Sequence, residues 1–229
     1  MKDQPKYMPD LTAISLDAFK KGLQTGRLLP GRRPLLDDID LQFSRLETAG
    51  VVNVGMLRKR LKNTAGLNKL AKETGLAEDY LKLLRREVSS LLPTPVKFSE
   101  LPLIADGMLD KLTDLDIADT EKLYPYVHSP EKRKDFRLLS GFSEGEVLWL
   151  TKLVDVSRIR WVGPKLARLI LDTPFDTVEK LSIADPAEVL SAFHEAKTTY
   201  KAYDGPLGIE DVGSWIRQVV VKTPRVIVY

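Results

Sequence analysis

Residues 158–171 read Arg158-Ile159-Arg160-Trp161-Val162-Gly163-Pro164-Lys165-Leu166-Ala167-Arg168-Leu169-Ile170-Leu171. The stretch predicts a tight turn followed by a helix. Gly163 is expected to close the turn at positive φ, which glycine adopts without steric cost. Pro164 suits the first position of the helix, where a missing N–H costs nothing. The unpaired amides of a helix start, with the positive end of its dipole, face outward and suit a phosphate. Arg158, Arg160, Lys165 and Arg168 surround the turn with positive charge.

Outward from this stretch, apolar positions recur at an offset of 66 residues, the mark of an internal repeat. Leu46 pairs with Leu112, Val51 with Ile117, Leu57 with Leu123, Leu61 with Val127, Gly75 with Gly141 and Leu84 with Leu150. A shorter third copy follows the second by 58 residues, pairing Leu112 with Ile170, Ile117 with Phe175 and Leu123 with Leu181. Within each copy the apolar residues return at three- and four-residue spacing, as in Tyr80, Leu81, Leu84, Val88 and Leu91. That is the period of a helix with one buried face. Helix starts are marked by Ser129-Pro130-Glu131, by Ser143 with Glu146, and by Asp185-Pro186 with Glu188. Leu92-Pro93-Thr94-Pro95 lacks two backbone donors and predicts a boundary. The end, Val219-Val220-Val221 and Val226-Ile227-Val228, is β-branched and predicts extended chain.

The chain has 229 residues, 43% hydrophobic and 29% charged, enough for a buried core. Charge is uneven. Residues 1–100 carry 18 Lys and Arg against 12 Asp and Glu, and residues 101–156 carry 7 against 11. The acidic middle segment is expected to avoid polyanions. The absence of cysteine excludes disulfides, thiolate nucleophiles and Cys-based metal sites. No run is apolar enough to serve as a signal sequence or membrane span, so the expectation is a soluble cytoplasmic protein.

Ile159–Leu171, followed by Phe175-Asp176-Thr177-Val178-Glu179-Lys180-Leu181 and Ala184-Asp185-Pro186, resembles tandem helix-hairpin-helix proteins. Trp161 departs from that pattern, standing where the first hairpin glycine is expected. Over residues 10–215 the chain resembles a bacterial family catalogued only as a domain of unknown function, whose members carry helix-hairpin-helix repeats. Leu28-Leu29-Pro30-Gly31-Arg32-Arg33 and Leu83-Leu84-Arg85-Arg86-Glu87-Val88 add to the likeness. The resemblance implies an all-α, SAM-like fold of tandem helix-hairpin-helix units with an N-terminal helical extension and a short extended C-terminal tail. The expected segments are 1–92 (extension and first repeat), 98–200 (second and third repeats) and 201–229 (C-terminal helix and tail).

Function is read from the turns. Only the third is basic. The second reads Leu103-Ile104-Ala105-Asp106-Gly107 and the first Leu36-Asp37-Asp38-Ile39-Asp40, with acid where phosphate would come. The first expectation is a non-enzymatic module that holds DNA or RNA backbone weakly and without sequence preference. Its binding set is Arg158, Arg160, Trp161, Gly163, Lys165 and Arg168. The alternative is a protein–protein adaptor or self-associating scaffold using apolar repeat faces and the C-terminal tail. Gly163-Pro164-Lys165-Leu166-Ala167, with Asp185 twenty residues on, also matches locally the Schiff-base lysine setting of endonuclease-III-like DNA glycosylases. That third reading requires a desolvated Lys165. The basic run Arg58-Lys59-Arg60 with Lys62, and the pair Arg85-Arg86, read first as solvated helix faces. His128 and His194 have no ligand-like neighbours in sequence, and neither cofactor, metal nor membrane contact is expected.

Overall fold

The computed structural model describes residues 6–26, 28–199 and 207–229. The expected 98–200 and 201–229 segments therefore meet within residues outside the described set. The described residues are helical, with only two isolated β-bridges. The chain divides into two compact units, residues 9–92 and residues 93–229 together with the first eight.

The unit 9–92 holds α1 (Leu16–Thr25), α2 (Ile39–Thr48), α3 (Val54–Arg60), α4 (Thr64–Thr74) and α5 (Glu78–Ser89). Short polar side chains start three of them. Ser15 accepts from the amide of Ala18, Asn53 from Met56 and Asn63 from Gly66. Their apolar stripes converge on one core around Phe19, Phe43, Leu46, Leu57, Leu67 and Leu84.

The larger unit holds α6 (Asp106–Asp114), α7 (Thr120–Val127), α8 (Pro130–Ser140), α9 (Glu144–Ser157), α10 (Pro164–Leu171), α11 (Val178–Ile183), α12 (Pro186–Thr199) and α13 (Ile209–Trp215). Ser129 caps α8 ahead of Pro130, and Ser143 with Glu146 closes a reciprocal capping box on α9. Its core runs through Leu112, Leu123, Phe136, Leu150, Ile159, Ile170, Leu181 and Phe193.

The 66-residue period reaches individual hydrogen bonds. Helices α2–α5 and α6–α9 begin and end at corresponding positions, within one residue or two. Leu57 and Leu123, and Leu84 and Leu150, are all fully buried. Gly75 and Gly141 end α4 and α8 at φ 67° and 66°. The carbonyl of Gly75 accepts from Arg45, and that of Gly141 from Lys111. Val51 N–H donates to Leu46 as Ile117 N–H does to Leu112. Each copy also pairs the residue before its second short helix with an upstream strand-like segment, Asn53 with Ser15 and Asp119 with Lys97. The third copy is partial. Thr177 caps α11 as Asp119 caps α7, and Leu181 is buried as Leu123 is.

The tail differs from the expected extended chain over part of its length. Ile216–Val220 form a π-helical turn that continues α13, with Val219 and Val220 buried. Packing against the core outweighs the strand preference of β-branched residues. From Pro224 the backbone is non-helical. Val228 N–H donates to the carbonyl of His128, Arg133 donates to that of Val228, and Ile227 is buried within the same unit.

Candidate nucleic-acid interface

Helix α9 is buried over seven of its last eight residues and is held in the core to Ser157. Ile159 and Val162 then anchor a tight turn from inside, both buried, with Val162 N–H donating to the carbonyl of Ile159. With those two residues held inward, Trp161 is brought to the outside, while Arg160 stays half-buried with its Nε enclosed. The turn closes at Trp161, whose φ is 72°. Gly163 does not take the positive φ expected of it. It lies at φ −94°, ψ −179° as the cap residue of α10. Extended backbone of this kind suits any residue, and a Cβ there would meet nothing within 4 Å. The glycine-like conformation has moved two residues upstream, onto a tryptophan. A left-handed conformation costs a non-glycine residue about 1–2 kcal/mol, and it persists only where surrounding contacts impose it. Leu103, 58 residues earlier, holds the equivalent conformation at φ 56°, and Asp38 at φ 48° begins α2.

Trp161 is 55% exposed despite its size. The Arg160 guanidinium lies 4.4 Å from the centroid of its indole ring. The carbonyl of Arg160 accepts from the indole N–H of Trp215 on α13, which fixes the turn from behind. Lys165 is exposed in the first turn of α10, and no side chain caps that helix start. Arg160 and Trp161 thus stand in contact on the turn just before α10, and the exposed Lys165 follows in the first turn of that helix.

Two of the expected cations sit elsewhere. Arg158 is 4% exposed. Its Nε donates to the carbonyl of Tyr7, one terminal nitrogen donates to the carbonyl of Pro224, and the other lies 3.5 Å from Asp155. Asp155 also accepts from the amide of Val178 and the hydroxyl of Tyr229. Tyr7 completes the cluster through Thr120 and Ser157. Burial lowers the Arg158 pKa and raises those of Asp155 and Tyr7. Arg158 therefore belongs to a buried polar network that holds the N-terminal segment and the tail against α9. Arg168 is half-buried, donates to Asp172 and to the carbonyl of Leu103, and lies 5.7 Å from the Trp149 ring. Its charge is largely answered inside the protein.

The lysine-catalysis reading finds little to build on. Lys165 is exposed, whereas a Schiff-base lysine needs an enclosing pocket. Asp185 accepts from the amides of Ala187 and Glu188 at the start of α12. His128 stacks on Tyr124, and among the described residues no three acidic, histidine or cysteine side chains group as a metal site. No helix among them is long and apolar enough to cross a membrane.

A model of a family described as a domain of unknown function (DUF4332) matches residues 102–220. That span runs from the turn before α6 to the end of the π-helical turn. No curated protein and no solved structure matches the chain.

Proposed function

The chain belongs to the DUF4332 family, and on that premise we propose that it is a non-enzymatic module which holds nucleic-acid backbone, without sequence preference, at the corner formed by Arg160, Trp161 and Lys165. In this reading α9, the turn and α10 are one helix-hairpin-helix element, repeated in degenerate form before α6 and α2. The supporting observation is the tryptophan. An indole that is 55% exposed and held at φ 72° carries a backbone cost that the Arg160 stacking offsets only in part. It makes sense as a flat platform for an unpaired base. Lys165 and the free amides of α10 stand ready for the adjoining phosphate. The acidic second turn, led by Asp106, offers no such contact.

The test is fluorescence anisotropy with a labelled duplex and a labelled single strand at about 50 and 200 mM salt, a range over which phosphate contacts weaken steeply. Lys165→Glu should weaken both ligands and flatten the salt dependence by about one ion. Trp161→Ala should weaken the single strand more than the duplex, by about 1–3 kcal/mol. Lys132→Glu, on the exposed face of α8, should change little. No binding at the lower salt, or equal loss from Lys132→Glu and Lys165→Glu, overturns the proposal.

A second reading rests on a different surface. Leu138 and Leu139 on α8 are 75% and 59% exposed, and Leu148 on α9 lines a nearby cavity of about 350 Å³ with Arg133 and Arg137. Adjacent exposed leucines of this kind favour a protein partner. Leu138→Asp with Leu139→Asp would abolish a protein complex and leave nucleic-acid binding intact. The tail contributes less to this reading, since Val219, Val220 and Ile227 are already buried in their own unit.

A further inference from the structure

We propose that the unit 9–92 carries a separate anion site, built for phosphoryl groups bearing two or more charges, between the end of α3 and the last turns of α5. A cavity of about 340 Å³ there is lined by Arg58, Lys59, Lys62 and Arg85 over a floor that includes Leu61 and Val88. No carboxylate lines it. In the sequence Arg85 stands 23 residues from Lys62 and reads as part of another helix face. The packing of α3 on α5 brings it to the same cavity.

The charge pattern is selective. Two nearby cations, Arg60 and Lys82, have carboxylate partners, whereas Arg86, beside Arg85, has none among the described residues. Arg60 pairs with Glu73 at 2.6 Å, and Lys82 with Asp79 at 2.9 Å. The four cavity cations make no ion pair among the described residues. Glu87, the nearest acid along α5, is buried and does not line the cavity. Cations at a helix end complement its dipole, which accounts for Arg58 and Lys59 in the last turn of α3. It does not account for Lys62, which lies beyond that helix, or for Arg85, which is half-buried and four residues from the end of α5. Like charges facing one concavity repel one another, and a bound polyanion relieves that repulsion.

The size and donor set narrow the ligand. The volume lies at the lower end of the ~300–1,000 Å³ of small-molecule sites. It suits a di- or triphosphate chain with any attached nucleoside outside. A half-buried guanidinium offers a fork that matches two phosphate oxygens, and three ammonium or guanidinium groups at the rim supply the remaining charge. A terminal polyphosphate can belong to a free nucleotide or to the 5′ end of a nucleic-acid strand.

The experiment is isothermal titration calorimetry of the full chain with sodium tripolyphosphate. Parallel titrations use ATP and a short oligonucleotide bearing a 5′-triphosphate. Saturable one-to-one binding of tripolyphosphate is expected at or below about 1 mM. Arg85→Gln should weaken it at least tenfold and Lys62→Gln several-fold, while Lys165→Glu leaves it unchanged. In the Lys165→Glu background, which weakens the corner at Trp161, tighter binding of ATP than of the oligonucleotide identifies a free nucleotide as the source, and the reverse order a strand end. Because Lys62 is exposed, its variant tests the site even if Arg85→Gln unfolds the unit. Absence of saturable binding, an unchanged affinity in Lys62→Gln, or equal loss from Lys165→Glu overturns the proposal. The last outcome would assign the heats to the corner at Trp161.

Discussion

Gly66, the third residue of α4, provides a test of how the first unit is held together. Glycine inside a helix normally destabilises it, and replacement by alanine is worth up to about 1 kcal/mol. At Gly66 the sign should reverse. A Cβ built there would sit 2.3 Å from the carbonyl oxygen of Arg60, at the end of α3. That oxygen is backbone and cannot rotate away, so α3 and α4 must separate by nearly 1 Å. Overpacking of this kind costs about 1–3 kcal/mol. Allowing for the propensity gain, Gly66→Ala should destabilise the unit 9–92 by about 1–2 kcal/mol. A slope of about 1–3 kcal/mol per molar urea translates this into a midpoint lowered by about 0.3–2 M. Gly22→Ala is the matched control. It lies inside α1 of the same unit with nothing within 4 Å, so it should stabilise. Far-ultraviolet circular dichroism is the assay, since Trp149, Trp161 and Trp215 all lie outside 9–92 and their fluorescence reports the other unit. Stabilisation by both substitutions would refute the argument that Arg60 requires the glycine.

Three further outcomes are expected. Burial works against the charge of Asp176, yet hydrogen bonds from Lys152 and Lys180, at 2.6 and 2.7 Å, outweigh it and hold its pKa below the usual carboxylate range. A depressed carboxylate contributes stability above its unfolded pKa of about 3.9, and that contribution is lost as pH falls through the lower folded value. The stability gap between the wild type and Asp176→Asn should therefore be full at neutral pH and close below about pH 4, and a gap constant with pH contradicts this. Tyr229→Phe removes a hydroxyl that lies 3.1 Å from Asp155 and should cost about 1.5 kcal/mol by tryptophan-monitored unfolding; an unchanged midpoint would show that the tail does not brace the buried network. Trp161→Gly relieves about 1–2 kcal/mol of backbone cost against about 0.5–1 kcal/mol of lost Arg160 stacking. Stability should hold or rise while single-strand affinity falls, and a parallel loss of both would make Trp161 a packing residue.

Much of the helical frame was legible because its signals are local. Apolar spacing marks the buried faces, and Ser129, Ser143 and Asp185 mark helix starts within three residues of the amides they cap. Leu57 and Leu123 declare the repeat because both occupy core positions where only apolar side chains fit. The site was harder to read. Arg158 looked like a member of a basic turn because its partners, Tyr7 and Pro224, are 151 and 66 residues away in sequence. Trp161 read as a flaw in a glycine pattern, although the backbone keeps the glycine conformation and strains the indole into it. Arg85 gave no sign of facing Arg58, because helix packing alone brings them together. The valines at 219–221 carry strand preference, yet the apolar surface beneath Val219 and Val220 favours a helical turn.

The corresponding cations at Arg45 and Lys111, each donating to the carbonyl of the glycine that ends the next-but-one helix, make the 66-residue period a unit of construction. Segments 64–74 and 130–140 are equal in length, begin behind a side-chain cap and finish on a left-handed glycine. They have the same fittings at both ends, so an exchange needs the inward-facing residues retuned and a glycine restored where Lys132 answers to Gly66. A protein assembled this way can diversify its outer surfaces cassette by cassette, leaving the joints untouched.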